Sequence, residues 1–224
     1  MIECHRLTGL LTLTDAGPLV LPADLERKVK DLWAEALARN PALFDGPILL
    51  AAASGENGLI LRQARYRHML AARRDESVKI AIGGRPLAVS GLLSCRDGLL
   101  FGQRSAEVSQ DPGHWELVPS GGVERPDLAA QILKELEEEI GLTADQVTVG
   151  APLGLIADEE VIDVVLPLTT ALSAQAIDQI HAARGSGEYR RLAASATPRD
   201  FIGRQSHVVA TSRAILEHFA AGRI

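Results

Sequence analysis

Glu135, Glu138 and Glu139 stand at i, i+3 and i+4 within Asp127–Ile140, a spacing that puts three carboxylates on one face of a helix. Glu137 falls on another face. Exposed like charges at that spacing repel by roughly 0.2–0.5 kcal/mol per pair, and by more when half buried. They also occupy the last turns, where the helix dipole disfavours anions. A divalent cation removes the conflict. Carboxylate oxygens are good ligands for Mg²⁺, which keeps several waters and commonly bridges to substrate phosphates. Taken alone, such a run also reads as a solvated acidic face.

The flanking residues define the element that would carry these groups. Asp127 suits an N-cap, and Gly141 can close the helix in the left-handed conformation. Ala129, Ile132, Leu133, Leu136 and Ile140 form the apolar stripe. Ser120-Gly121-Gly122 leads in, after the short strand-like Trp115–Val118. Upstream, Leu87–Cys95 and Gly98–Gln103 predict a hairpin around Arg96-Asp97-Gly98. Downstream, Val147–Val149 and Val161–Thr169 predict strands, Ser173–Ala183 a helix, and His207–Phe219 a last helix. Strands interleaved with helices predict an α/β domain.

The stretch Gly121–Leu142 resembles the Nudix box: a Gly, five residues, a Glu, seven residues, then Arg-Glu-apolar-x-Glu-Glu-x-Gly-apolar. Glu135, Leu136, Glu138, Glu139, Gly141 and Leu142 match its second half in order. Pro119-Ser120-Gly121-Gly122 resembles the Pro-Gly-Gly run before the box. Two departures stand out. The loop between the glycines and the helix is about two residues short, so that Glu124 or Asp127 must stand in for the first Glu, and Lys134 replaces the Arg. Lys lacks the planar bidentate geometry of Arg.

The resemblance implies a Nudix-type α-β-α sandwich with a mixed sheet over residues 86–224, and residues 1–85 as an N-terminal α/β extension packed on it. It implies Mg²⁺, or Mn²⁺, held by Glu135, Glu138 and Glu139 as metal ligands and catalytic groups. The reaction it implies is hydrolysis of the diphosphate bond in a nucleoside diphosphate linked to another group. A catalytically inert Nudix-fold nucleotide-binding module is the alternative. Arg104, Gly121, Gly122 and Lys134 take substrate-binding positions. Glu159 and Glu160, with Asp158, lie in the loop where some relatives place an extra ligand or base. Glu188 is a weaker candidate of the same kind. His114, Trp115 and Tyr66 are candidates for touching a base.

The extension reads as a helix over Leu21–Arg39, a hairpin of Ile48–Ala53 and Gly58–Gln63, and a short helix over Ala64–Arg74, with a break at Gly83-Gly84-Arg85-Pro86. Its Asn40-Pro41-Ala42-Leu43-Phe44-Asp45-Gly46 and Arg65-Tyr66-Arg67-His68 resemble a Nudix subgroup that cleaves nucleotide sugars.

Composition bounds the partners. The chain has 224 residues, 46% hydrophobic and 23% charged, with a formal net charge of -6, the balance of a globular protein. Basic residues cluster only at Arg65/Arg67/Arg73/Arg74 and Arg184/Arg190/Arg191, without the stripe that a nucleic-acid surface wants. No apolar run is long enough to span a membrane, and Glu3, His5 and Arg6 interrupt any leader-like core. Cys4 and Cys95 have no neighbouring cysteine and read as reduced thiols. These features point to a cytoplasmic protein with a small nucleotide-type substrate, no nucleic acid and no membrane. They allow a homodimer.

Overall fold

The computed structural model describes residues 2–108 and 110–219. The extension comprises β1 (Glu3–Arg6), β2 (Thr12–Pro18), α1 (Ala23–Arg39), β3 (Pro47–Ala53), β4 (Gly58–Arg65), α2 (Tyr66–Ala72) and α3 (Glu76–Ile82). Then follow β5 (Arg85–Cys95), β6 (Gly98–Arg104), β7 (Trp115–Leu117), β8 (Ser120–Gly122), α4 (Leu128–Ile140), β9 (Thr148–Val149), β10 (Gly154–Ala157) and β11 (Ile162–Thr169). The chain closes with α5 (Ala174–Arg184), β12 (Tyr189–Ser195), α6 (Pro198–Gly203) and α7 (Ala210–Phe219). The fold is α/β with a mixed, branching sheet. No helix among the described residues is long and apolar enough to cross a membrane.

β5 organises the sheet. It runs parallel to β11 from Leu87↔Ile162 to Ser94↔Thr169. It is antiparallel to β6 through the hairpin, to β8 through Val89↔Gly121, and to β3 through Leu50↔Pro86. Alternation along these strands sends residues to two cores. Leu87, Val89, Leu93 and Leu100 pack under α4 and α5 against Ile132, Leu136, Ile140 and Ile177. Leu92, Phe101, Trp115 and Val165 pack under α6 and α7 against Ile202, Ile215, Leu216 and Phe219. Helices therefore cover both faces, the α-β-α layering expected from the sequence. Each fully buried Ile or Leu on α4 contributes about 1.5–3 kcal/mol.

The extension shares the first of these cores. Leu49 and Ala51 of β3, with Leu59 and Leu61 of β4, join the cluster that holds α4 in place. Its other face carries a third cluster, in which Val29, Ala71, Val78 and Ile82 of α1–α3 cover Leu50 and Ala64. The two extension motifs singled out above meet at Asp45. Its carboxylate accepts from the Arg67 amide at 2.9 Å, the Arg65 Nε at 2.9 Å and Arg67 Nη1 at 3.1 Å. Burial alone would raise the Asp45 pKa, but these donors hold it below the ordinary carboxylate range.

Several elements went unpredicted: β1, β2, α3, β8, β10, β12 and α6. The residues of β1 and β2, Glu3-Cys4-His5-Arg6 and Thr12–Pro18, are edge strands with little apolar alternation, paired to β10 and β4. The last helix begins at Ala210 rather than His207, because the His207 carbonyl and the Val209 amide bond to Trp115 instead of joining the helix.

Asp163 on β11 is 6% exposed and accepts from the Ser90 hydroxyl at 3.1 Å. Burial pushes its pKa up to about 6. A carboxyl raised on folding stabilises fully below its unfolded pKa near 4, and that stability is lost as pH rises through about 6. Asp163→Asn should therefore flatten the fall in stability between pH 4 and 6 and gain about 3 kcal/mol above it, as read by chemical denaturation across pH. An unchanged profile would show that Asp163 ionises freely. For the extension, residues 86–224 alone should be poorly soluble, or should melt far below the whole chain in a thermal scan, because Leu87, Val89 and the Leu128 turn of α4 would lose their cover. Equal melting temperatures would refute a structural role for residues 1–85.

Candidate metal centre

α4 forms where the sequence marks it. The Asp127 carboxylate accepts from the Ala130 amide at 3.0 Å and caps the N-terminus. Gly141 ends the helix at φ 85, a left-handed conformation that a side chain would strain. Val118-Pro119 and β8 run back beneath the helix, so that Gly121 lies against its inner face.

The three glutamates divide. Residues on a helix advance about 100° each, so positions i and i+4 lie about 40° apart, while i+3 falls about 60° to the other side. Glu135 and Glu139 turn inward to β8. Glu139 is 4% exposed, and its Oε2 accepts from the Ser120 amide at 3.3 Å and from the Tyr189 hydroxyl at 3.2 Å. Glu135 is half-buried, and its Oε1 accepts from Gln131 Nε2 at 2.6 Å. Glu138 is exposed and lies 3.9 Å from Lys134 Nζ. Glu137 is exposed, as its position on the helix implied. No three acidic, histidine or cysteine side chains among the described residues already converge as a ligand set.

Gly121 makes room for Glu135. A Cβ there would stand 2.2 Å from Glu135 Cδ and 2.5 Å from Oε2, so the carboxyl rests directly on the backbone. Burial raises the pKa of Glu139 well above the ordinary range, and Glu188 and Glu116 add to it. Burial also raises Glu135, against the hydrogen bond from Gln131. Two desolvated carboxylates side by side, in a cradle that only glycine permits, fit an oxygen-liganded divalent cation. Glu135 and Glu139 would hold it from inside and Glu138 from the solvent side.

The two departures from the box pattern meet in one ion pair. Lys134 Nζ lies 3.0 Å from Glu124 Oε1, and that contact is the main cause of the raised Lys134 pKa. Gln131 ties the same loop to the helix, accepting from the Glu124 amide at 3.2 Å while donating to Glu135. Glu124, rather than Asp127, thus faces the cation of the helix, and Asp127 serves as the cap. Both members of the pair are more than a third exposed, so the contact orients the loop and adds little stability.

Arg104 is held through Nε and Nη1. It pairs with Glu116, with Glu188 at 3.0 Å, and with the Gln110 carbonyl at 2.9 Å. Glu116 is 6% exposed, and burial raises its pKa even against Arg104. Neither Glu116 nor Tyr189 was singled out as chemical in the sequence. The available signal was a charge between apolar residues in Trp115-Glu116-Leu117, which alternation sends to the face opposite Trp115 and Leu117. Glu159 and Glu160 stand elsewhere. Glu160 pairs with Arg73, just after α2, at 2.7 Å, and both line a cavity of about 380 Å³ with Lys79 and Arg85. The ring of Tyr66 packs edge-on to Trp33, 6.1 Å between centroids. Trp115 is core, stacked edge-on by Phe201, and His114 sits beside His207.

Residues 84–180 match the family model of the NUDIX domain. No curated protein matches the chain in sequence. Among solved structures, the chain is similar to a MutT protein from Methanosarcina mazei, at 21% identity over 61% of this chain and 93% of that one, with a TM-score of 0.44. A C. elegans Ap4A hydrolase, in a binary complex, aligns at 18% identity over 61% and 96%, TM-score 0.40. The NUDIX domain of Shewanella oneidensis NrtR, complexed with ADP ribose, aligns at 13% over 59% and 84%, TM-score 0.42.

The cradle yields a direct test. Gly121→Ala must displace the Glu135 carboxyl, so Mn²⁺ affinity in a calorimetric titration should fall about tenfold while the circular dichroism spectrum holds. Affinity equal to wild type would remove Glu135 from the ligand set.

Proposed function

With residues 84–180 carrying a NUDIX domain, we propose that the protein is a Mg²⁺-dependent pyrophosphohydrolase. It cleaves the phosphoric anhydride bond of a nucleoside diphosphate linked to another group, and nucleotide sugars are the first candidates. The observation that carries this reading is the pairing of Glu135 and Glu139 against Ser120 and Gly121. Buried Glu139 and half-buried Glu135 are both costly to ionise until a cation neutralises them. When bound, Mg²⁺ neutralises the diphosphate and lowers the pKa of an attacking water.

The chain's own residues supply the rest. Glu135 and Glu139 fix the inner side of the site, and exposed Glu138 faces the solvent side from which a substrate arrives. Gly122 leaves the backbone open to a close approach, whereas the space over Gly121 is taken by the Glu135 carboxyl. Phosphoryl transfer needs positioning and charge stabilisation more than a protein nucleophile, so no Ser-His-Asp arrangement is required. Lys134, 43% exposed between Glu124 and Glu138, can turn toward a phosphate. Arg104 can do so through Nη2, which lies outside its contacts to Glu116, Glu188 and the Gln110 carbonyl. Glu160 becomes an extra ligand or base only if it leaves Arg73, a condition that does not bind Glu159. A small nucleotide-type substrate with no nucleic-acid partner suits the scattered basic residues, and a cytoplasmic setting suits the unpaired Cys4 and Cys95.

A second reading, a nucleotide-binding module without turnover, is favoured by one observation: Glu138 diverges from Glu135 and Glu139. A hydrolysis screen separates the two. It covers nucleotide sugars, NADH, ADP-ribose, dinucleoside polyphosphates, coenzyme A and dNTPs, each with Mg²⁺ and with Mn²⁺. Turnover of at least one substrate, dependent on metal, is expected. Glu139→Gln should then lose a factor on the order of a hundred in kcat. Its metal-free stability should hold or rise, since a buried carboxylate of raised pKa no longer has to ionise at neutral pH. Glu137→Gln should match wild type. Equal, undiminished rates for Glu137→Gln and Glu139→Gln would end the metal-helix mechanism.

A further inference from the structure

Tyr189 opens β12 opposite Arg104 and is 3% exposed. Its ring fills the space above Gly102, where a Cβ would stand 2.6 Å from Cδ1 and 2.8 Å from Cε1 of the ring. The same Cβ would meet Val118 Cγ1 at 2.8 Å, so the niche admits the ring only because position 102 has no side chain. From this seat the hydroxyl donates to Glu139 Oε2 at 3.2 Å, the oxygen that also accepts from the Ser120 amide. Glu139 Oε1 accepts no hydrogen bond from the described residues.

A glutamate carboxyl turns readily about its last torsion, which is broad and nearly two-fold. Two donors on one oxygen fix that turn and leave the other oxygen to face outward. A phenol has a single proton to give. Glu116 also borders the Tyr189 hydroxyl and would compete for that proton. Its Oε1 is paired with Arg104, which is itself held by Glu188 and the Gln110 carbonyl, and the hydrogen bond that the hydroxyl makes by geometry goes to Glu139.

We propose that Tyr189 is a positioning residue for Glu139, with Gly102 setting its ring, so that Glu139 Oε1 is presented to the cation. The inference rests on the hydrolase reading, because it takes Glu139 as a ligand. It adds a device outside the box that readies the site before metal arrives.

Mn²⁺ binding to the metal-free protein, followed by electron paramagnetic resonance, tests it without substrate. Tyr189→Phe keeps the ring in its niche and deletes only the hydroxyl. It should bind Mn²⁺ about tenfold more weakly than wild type, with an unchanged melting temperature without metal. Turnover of Tyr189→Phe should recover as Mn²⁺ is raised, whereas turnover of Glu139→Gln should not. Gly102→Ala pushes the ring aside without touching a polar group and should weaken Mn²⁺ binding in the same direction. The double variant should be no weaker than the weaker single one, since both act through one hydroxyl. Wild-type Mn²⁺ affinity in Tyr189→Phe, or additive losses in the double variant, would overturn the proposal. Should the wild-type protein bind neither Mn²⁺ nor Mg²⁺, the hydrolase reading itself fails and takes this inference with it.

Discussion

A carboxylate buried at the seam between α4 and β8 governs the arrangement around it. Glu139 is 4% exposed and shares its surroundings with Glu116, Glu188 and Glu135. Ionised groups in such a place are costly unless something neutralises or solvates them. The neighbouring residues read as answers to that one demand. Ser120 and Tyr189 donate to the carboxylate, Arg104 takes up the charge of Glu116 and Glu188, and Gly121 lets Glu135 draw close. The apolar stripe of Ile132, Leu136 and Ile140 then presses the helix down so that none of these contacts can open.

Much of this was written locally in the sequence. The N-cap Asp127, the closing Gly141 and the apolar stripe are signals whose physics lies within one helix, and they gave α4 to within a residue. Spacing also put Glu137 outside. What spacing could not give was the division of the other three, because which edge of an acidic face turns inward depends on where β8 lies. Arg104 and Glu188 carried hints of a role, but their shared pairing joins residues far apart in sequence. Tyr189 sits on a strand whose residues, Tyr-Arg-Arg-Leu, show no clean alternation. It was unreadable until β6 supplied the glycine beneath it. The edge strands of the extension were missed for a related reason. Their partners, not their composition, make them strands.

The substitutions in the box are likewise intelligible only together. Shortening the loop brings Glu124 to the helix at the height of Lys134, and a point-like ammonium suits a single exposed carboxylate as well as a guanidinium would. The loop is then held twice more, by Gln131 from the helix and by hydrogen bonds of Val123, whose amide donates to the Leu87 carbonyl and whose carbonyl accepts from the Leu49 amide at 2.8 Å.

That last pair of bonds has an entropic consequence. Val123 is stitched between a strand of the core and a strand of the extension, directly after two glycines, the residues with most backbone freedom to lose. Ordering a free residue costs about 1–2 kcal/mol. Here that cost is met during folding rather than during ligation. A cation reaching this site would find a stiffened loop, and its affinity would owe something to Leu49, a residue that never approaches it.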